Sequence, residues 1–135
     1  DNNKTKHVSS IELNTYQSKC SDEVNIGFIG AGNYASRILM PAFKDAGARL
    51  FSIASSGGLN AMINGSKFGF KTVTSDTDGL ISNPQINCVA IVTRHNTHAK
   101  LAEKSLSMGK HVFLEKPLAL SLEELNLVKK YLITL

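Results

Sequence analysis

The chain has few cysteines. It has 135 residues and two cysteines, Cys20 and Cys88, which form no Cys-x-x-Cys pair. This spacing gives no indication of a disulfide framework or of a thiolate metal site, and we expect no metal. The apolar sequence around Cys88 predicts that its side chain packs in the core as a small hydrophobe.

The chain also lacks a long apolar run, a signal-peptide core at its start and a strongly basic segment. Its formal net charge is +4, and the basic residues are scattered, with no run longer than Lys129-Lys130. A membrane span needs about 20 apolar residues, and nucleic-acid binders usually concentrate their basic residues on one face. We therefore expect a cytoplasmic protein that binds neither membranes nor nucleic acid.

The composition that remains is that of a folded domain. Hydrophobic residues make up 42% and charged residues 19% of the chain. Residues 1–22 are polar, with one strand-like piece at 10–13, and we interpret them as an arm or interdomain connector. Residues 23–135 are long enough for one domain with a real core.

Short apolar runs alternate with segments of helical spacing throughout residues 23–135. The runs predict strands at 24–30, 48–55, 70–75, 86–93 and 111–114; the spacing predicts helices at 33–47, 59–69, 76–82, 97–110 and 121–132. Such runs are typical of strands whose two sheet faces are both covered. The alternation predicts an α/β fold: a doubly wound, mostly parallel sheet of the Rossmann type.

Two helices carry further predictions. In the first, the spacing places Ile38, Leu39, Ala42, Phe43 and Ala46 on one side, and Pro41 should remove one backbone hydrogen bond and bend the helix. In the last, Ser121-x-x-Glu124 has the form of a capping box.

The first strand runs into a glycine turn of the form G-x-G-x-x-A. Gly30 allows the tight turn, Gly32 lets the backbone approach a diphosphate, and Ala35 lets the helix pack on the sheet. Asn33 and Tyr34 lie at the helix start, where free amides meet the phosphate charge. The alternative is a plain strand–turn–helix whose glycines serve packing, but the flanking elements favour a dinucleotide.

The second strand ends at Ser55-Ser56, where dinucleotide-binding domains usually carry an acid for the ribose hydroxyl. Without a carboxylate there, a 2′-phosphate would meet no repulsion, and Arg37 or Lys67 would assist its binding if either side chain lies near this strand end. The cofactor is therefore NAD or NADP, with a slight preference for NADP. A plain polar turn is an equal alternative at this position.

Two other strand ends carry polar residues. Thr93-Arg94-His95-Asn96-Thr97-His98 follows the fourth strand: Thr93 and Asn96 suit hydrogen bonds to a ribose or carboxamide, Arg94 suits an anion, and His95 and His98 suit proton transfer. For these residues a solvated loop or a helix cap is the alternative. Glu115-Lys116-Pro117 follows the fifth strand, where desolvation would lower the pKa of Lys116 and fit it for acid–base work. The alternative is a surface ion pair beside a turn.

The glycine turn, the 93–98 loop and the segment GKHVFLEKPLA together resemble the Gfo/Idh/MocA family over about residues 24–135. The resemblance implies a Rossmann domain followed by a substrate domain, and hydride transfer between a nicotinamide cofactor and a sugar, cyclitol or related hydroxyl or carbonyl compound. It also implies site roles, which are these: Gly30, Gly32, Asn33 and Tyr34 at the diphosphate, Ser55 at the adenosine ribose, Thr93, His95 and His98 at the nicotinamide side, Glu115 at the nicotinamide ribose, and Lys116 at cofactor and substrate in proton transfer.

The chain departs from the family pattern at Thr93-Arg94-His95, where Thr-Pro-Asn is usual, and at the missing acid after the second strand. Its sequence resembles most a subgroup of the family in which this domain follows a zinc-type alcohol dehydrogenase-like domain. We expect the substrate domain to be missing, the chain alone to be inactive, and the full-length protein to form a homo-oligomer. A non-enzymatic dinucleotide-sensing or scaffold module is the alternative.

Overall fold

A computed structural model describes residues 10–13, 23–55, 58–93, 95–114, 121 and 123–126. The strands are β1 (Ser10–Glu12), β2 (Asn25–Ile29), β3 (Arg49–Ala54), β4 (Thr72–Thr74), β5 (Cys88–Ile91) and β6 (His111–Leu114). The helices are a π-helix (Ala35–Leu39), α1 (Met40–Asp45), α2 (Gly58–Phe68), α3 (Thr77–Ser82), a 3₁₀ turn (His95–Thr97) and α4 (His98–Ser107). Residues 123–126 are also helical. The predicted alternation of strands and helices is confirmed across these ranges.

The strands form one sheet in the order β1-β4-β3-β2-β5-β6. All neighbours pair in parallel except β1, which runs antiparallel to β4. The order steps outward from β2 through β3 and β4 on one side, and through β5 and β6 on the other. This is the doubly wound Rossmann arrangement, with a switch point beside β2.

The core has two layers, one on each face of the sheet. On one face, side chains of the first and second helices pack with Phe28 of β2 and Ile53 of β3; on the other, α3 and α4 pack with Ile29 and Val89. Edge-to-face ring contacts join the first layer, with centroids 5.7 Å apart for Phe28–Phe43 and 5.2 Å for Phe43–Phe113. No helix in the described ranges is both long and apolar enough to cross a lipid bilayer.

The first helix presents a different face from the one that its spacing predicts. Leu39 is buried and Phe43 is half-buried, but Ile38, Ala42 and Ala46 are exposed, so the prediction was wrong for these three. The reason is the π-helical turn, in which the Met40 N–H donates to the oxygen of Ala35 and the wider turn shifts the later residues around the axis.

Pro41 lies at the start of α1, directly after the π-helical turn. Proline has no N–H to donate and its ring crowds the carbonyl four residues earlier, so a regular α-helix is unfavourable there. The predicted disturbance of the helix at Pro41 thus takes the form of a change in helix type.

The predicted capping box is present in its N-cap half, since the Glu124 N–H donates to Ser121 Oγ at 3.2 Å. The Ser121 hydroxyl thereby satisfies a backbone donor that has no partner within the helix.

The strand-like piece of the polar arm is β1, which extends the sheet beyond β4. Ser10 Oγ donates to Thr74 Oγ1 at 2.8 Å, and the Leu13 N–H donates to the oxygen of Lys71. Leu13 packs against the core layer that contains α2. At least this part of the arm therefore belongs to the folded domain.

Gly65 of α2 lies where the helix packs closely against β4 and Leu13 at the edge of the sheet. A Cβ built there would lie 2.6 Å from Val73 Cγ2 and 3.0 Å from Leu13 Cδ1. Glycine to alanine normally stabilises a helix, but here overpacking should win, and we expect Gly65→Ala to lower the free energy of unfolding by about 1–3 kcal/mol. Urea denaturation measures this.

Gly58→Ala is the matched control in the same helix, because a Cβ at Gly58 would meet nothing within 4 Å. Its effect should stay within about 0.5 kcal/mol. Equal midpoints and slopes for the two variants would contradict the packing described for β1, β4 and α2.

Candidate dinucleotide-binding site

Three strands end level with one another at the switch point. Ile29, the last residue of β2, pairs with Ala54 of β3 on one side and with Ile91 of β5 on the other. The next hydrogen bonds continue this pattern, from the Gly30 N–H to the oxygen of Ala54 at 2.7 Å and from the Val92 N–H to the oxygen of Ile29 at 2.9 Å. In open α/β sheets a ligand crevice forms beyond strand ends arranged in this way.

Gly30 is required by the backbone itself. Its φ of 112° lies in the region that L side chains rarely adopt, and a Cβ there would lie 2.7 Å from the carbonyl oxygen of Val92. The glycine therefore makes both the tight turn and the close approach of the β2 and β5 ends possible. For Gly30, the alternative interpretation is therefore sufficient: the fold needs this glycine for its own packing, with or without a dinucleotide.

Gly32 is different, because nothing in the fold needs it to lack a side chain. A Cβ at Gly32 would meet no atom within 4 Å. The residue is exposed and lines a cleft at the strand ends. Open space over this backbone is what a diphosphate requires, so the position fits the predicted ligand.

The helix after the turn begins with amides available to an anion. The helix starts at Asn33, directly after Gly32, which has no side chain that could cap it, and Asn33 and Tyr34 are exposed. Ala35 is buried in the core, as its role in helix packing predicts. Asn64 Nδ2 of α2 donates to the oxygen of Ala31 at 3.2 Å and holds the turn from the other side.

The cleft has a volume of about 1180 Å³. It is open to solvent and runs across the ends of β2, β3 and β5, between the glycine turn and helices α3 and α4. Its lining residues are Ile29, Gly30, Ala31, Gly32, Ala54, Ser55, Asn60, Thr77, Asp78, Val92, Thr93, Asn96, Thr97, Lys100, Leu101 and Lys104.

Two hydrogen bonds to Thr93 shape the loop after β5. Thr93 Oγ1 and Thr97 Oγ1 are 2.6 Å apart, and His98 Nε2 lies 3.0 Å from the carbonyl oxygen of Thr93. Thr93, Asn96 and Thr97 line the cleft. His98 does not line it, because its side chain is fully buried beneath the loop. His98 therefore positions the loop backbone instead of facing the cleft, and His95 belongs to the 3₁₀ turn.

Of the residues predicted around the ribose, Ser55 lines the cleft. Arg37 and Lys67 do not, and the ammonium of Lys67 lies 5.3 Å from the ring centre of Phe68 instead. The two cations were considered only on the condition that they lie close, and neither contributes to the wall of the cleft. Ser56, Arg94, Glu115 and Lys116 lie outside the described residues.

Sequence reasoning did not identify the wall formed by α3 and α4. Asp78 lies in the first turn of α3, and Lys100 and Lys104 lie one turn apart on α4; all three line the cleft. Asp78 could have been predicted as a cleft residue, because it follows the end of the third predicted strand and ligands bind beyond strand ends. The two lysines appear in sequence only as the polar side of an amphipathic helix.

The described residues contain no group of three or more histidine, cysteine or acidic side chains placed to hold a metal ion. Cys88 in β5 packs against the core, and burial raises the pKa of its thiol. At neutral pH the thiol stays protonated and is a poor nucleophile or ligand. This agrees with its prediction as a small hydrophobe.

The family model described as "Oxidoreductase family, NAD-binding Rossmann fold" (GFO_IDH_MocA) matches residues 24–134. This chain belongs to the Gfo/Idh/MocA oxidoreductase family. The match covers most of the chain, and the glycine turn and the cleft both lie within the matched NAD-binding domain. The predicted family and fold are confirmed.

Individual relatives agree with the family. The chain is 34% identical over 102 residues to 1-carboxy-3-chloro-3,4-dihydroxycyclohexa-1,5-diene dehydrogenase of Comamonas testosteroni, covering 75% of this chain and 25% of that protein. It is similar to levoglucosan dehydrogenase in complex with NADH, with a TM-score of 0.73, 29% identity, and coverage of 82% and 32%. It is also similar to biliverdin reductase from Synechocystis sp. PCC 6803 in complex with biliverdin and NADP⁺, with a TM-score of 0.70, 30% identity, and coverage of 80% and 35%.

The matched part of the chain spans 33% and 25% of the length of the first two curated relatives. The shared part is the cofactor domain.

Substitution by alanine should destabilise the protein at Gly30 and leave its stability almost unchanged at Gly32. Gly30→Ala should lower the free energy of unfolding by about 1–3 kcal/mol or more, because it strains the backbone and meets the Val92 carbonyl. Gly32→Ala should change it by no more than about 0.5 kcal/mol, since its Cβ points into open space. Thermal and urea unfolding of both variants measures the difference, and a Gly32 variant as unstable as the Gly30 variant would contradict the assigned roles.

Proposed function

We propose that this chain is the cofactor-binding domain of an NAD(P)-dependent oxidoreductase. Its substrate class would be a sugar, a cyclitol or a related hydroxyl or carbonyl compound. The observation that carries the proposal is the cleft at the switch point, where the backbone at Gly32 faces open space that the fold itself leaves unfilled.

The charge and shape of the cleft support a dinucleotide. The helix start directly after Gly32 offers backbone amides to the diphosphate, and its positive dipole end adds to the attraction. Ser55 at the end of β3 is placed at the strand end where the adenosine ribose is bound in this fold. Thr93 and Asn96 offer a hydroxyl and an amide for the nicotinamide half.

We favour NADP over NAD, and the end of β3 supports this preference. Ser55, which opens the turn there, carries a hydroxyl that can donate to a phosphate, and no carboxylate of the described residues stands at that strand end. One related structure contains NADH and another NADP⁺, so both forms of the cofactor occur among similar proteins.

The bound nicotinamide would supply the hydride acceptor or donor. The remaining proton belongs to the substrate hydroxyl, and we assign it to the amine of Lys116 on the family resemblance. In alcohol oxidation the amine would take this proton as the carbon loses its hydride, and in reduction it would return it. Glu115 would lie at the nicotinamide ribose in the same scheme.

Substrate recognition would come largely from chain beyond this domain, because the matched part makes up only 33% and 25% of the first two curated relatives. We therefore expect this chain to bind cofactor without sustained turnover. A homo-oligomeric full-length protein, an upstream alcohol dehydrogenase-like domain and a cytoplasmic location remain predictions from sequence.

Calorimetric titration of the 135-residue chain with NADH and with NADPH tests the cofactor assignment. Both should bind, and Gly32→Val should weaken both by about tenfold or more, because its side chain occupies the space over the turn. Met108→Val, an exposed change just past the end of α4 and away from the cleft, is the control and should leave binding unchanged. No binding by the wild-type chain would refute the proposal.

Lys116→Ala in the full-length protein tests the catalytic assignment. Its kcat should fall by about 10²–10⁴-fold through loss of proton transfer, while the dissociation constant for the cofactor changes by less than about threefold. Stopped-flow measurement of nicotinamide absorbance at several pH values gives both quantities. Unchanged turnover would remove Lys116 from the mechanism and leave the cofactor assignment intact.

A further inference from the structure

The arm strand β1 precedes residues 24–134, which match the family model, yet it pairs with a strand that leads to the cleft. It runs antiparallel to β4, and Ser10 lies beside Thr74, the last residue of β4. The Leu13 N–H donates to the oxygen of Lys71, just before β4 begins. The arm is therefore attached along the whole length of β4.

A series of hydrogen bonds leads from β1 to one wall of the cleft. Ser10 Oγ donates to Thr74 Oγ1 at 2.8 Å, and the Asp76 N–H donates to the same buried oxygen at 2.9 Å. Asp76 is the N-cap of α3, and its Oδ1 accepts from a backbone N–H of the first turn at 2.9 Å. That turn contains Thr77 and Asp78, which line the cleft. The Thr74 hydroxyl thus holds the arm and the start of α3 in one arrangement.

Packing connects β1 to the opposite wall of the cleft. Leu13 lies so close to α2 that a Cβ on Gly65 would be 3.0 Å from Leu13 Cδ1. The same helix contributes Asn60 to the lining of the cleft, and Asn64 Nδ2 donates to the oxygen of Ala31 in the glycine turn at 3.2 Å. One strand therefore supports α3 on one face of the sheet and α2 on the other.

The position of β1 makes it an element that can separate from the sheet. It has three residues, it is the edge strand of the described sheet, and Ser10 and Ile11 are exposed. Short segments with few buried contacts open at a free energy well below that of global unfolding. A ligand that contacts both walls of the cleft favours the state in which both walls are held, because it binds that state more tightly.

We propose that docking of β1 on β4 is coupled to dinucleotide binding, so that the arm regulates the affinity of the cleft. This coupling rests on the proposed function. With β1 docked, α2 and the first turn of α3 are held in position and the dinucleotide binds tightly. With β1 released, both lose a support and binding weakens. Such coupling is reciprocal, so bound dinucleotide holds β1 on the sheet by the same factor.

Calorimetric titration of the full chain with NADH and NADPH tests the effect of β1 on the cleft. The double variant Ser10→Ala/Leu13→Ala removes both connections and should weaken both dinucleotides by about fivefold or more. Ser10→Ala alone removes one hydrogen bond and should weaken them by about threefold. If the double variant does not fold, Ser10→Ala, a change at an exposed residue, decides in its place.

Two controls separate this coupling from a general loss of stability. Leu106→Ala removes core packing near the end of α4 that is remote from the strand ends, and Ile11→Thr changes an exposed side chain of β1 itself. Each should change the dissociation constants by less than about twofold, because neither touches the connections from β1 to the cleft.

Hydrogen exchange of the wild-type chain tests the effect of the ligand on β1. With saturating NADH, the Leu13 amide, which is bonded to the oxygen of Lys71, should exchange about fivefold more slowly. The His111 amide, which is bonded to the oxygen of Asn87 on the other side of the sheet, is the control and should exchange as before.

The coupling is overturned if the double variant binds both dinucleotides as tightly as the wild-type chain, or if Leu106→Ala weakens them as much as the double variant does. It is also overturned if NADH slows the Leu13 and His111 amides equally. Each of these results leaves the proposed function standing, because the wild-type chain still binds. A wild-type chain that binds neither dinucleotide would remove both proposals.

Discussion

The contact between Gly30 and the carbonyl of Val92 is the constraint on which the rest of the site depends. The ends of β2 and β5 approach so closely there that no side chain fits, and the chain can leave β2 only with a positive φ. Hydrogen bonds on both sides of Ile29 keep the neighbouring strand ends level. The glycine turn, the loop after β5 and the end of β3 are thereby brought to one edge. A larger residue at Gly30 would separate them, and the cleft would lose its shape before any ligand arrived.

The two sides of the sheet contribute different parts of this cleft. The first helix and α2 hold the glycine turn, through the helix start beside Gly32 and the bond from Asn64 to Ala31. Helices α3 and α4, on the opposite face, supply the charged wall of Asp78 and Lys104. A ligand that crosses the switch point meets neutral backbone donors on one side and ammonium groups on the other.

Much of the fold was predictable from sequence because its signals are local. Short apolar runs rich in β-branched residues, such as the one around Val89, predict buried strands, and the positions of the helices follow from the spacing of their apolar residues. The face of the first helix was not predictable, because a π-helical turn before Pro41 changes the angle between successive residues. A π-helical turn is less stable than a regular α-helical turn, and here the packing of Leu39 and Met40 in the core offsets that difference in free energy. No local sequence pattern reveals this packing. Burial is equally invisible in a local pattern. In sequence His98 suited proton transfer, whereas in the structure its buried ring lies against the carbonyl oxygen of Thr93 and holds the loop.

The sequence by itself determined the class of the domain, the family and the glycine turn, since these depend on neighbouring residues and their chemistry. Tertiary structure alone decided that Gly30 serves the fold while the space beside Gly32 stays open, because the two differ in backbone φ and in which distant atoms surround them. It also brought Asp78 and Lys104 together across 26 residues of chain. Charges that far apart in sequence meet only when the crossover connections of the sheet place their helices side by side.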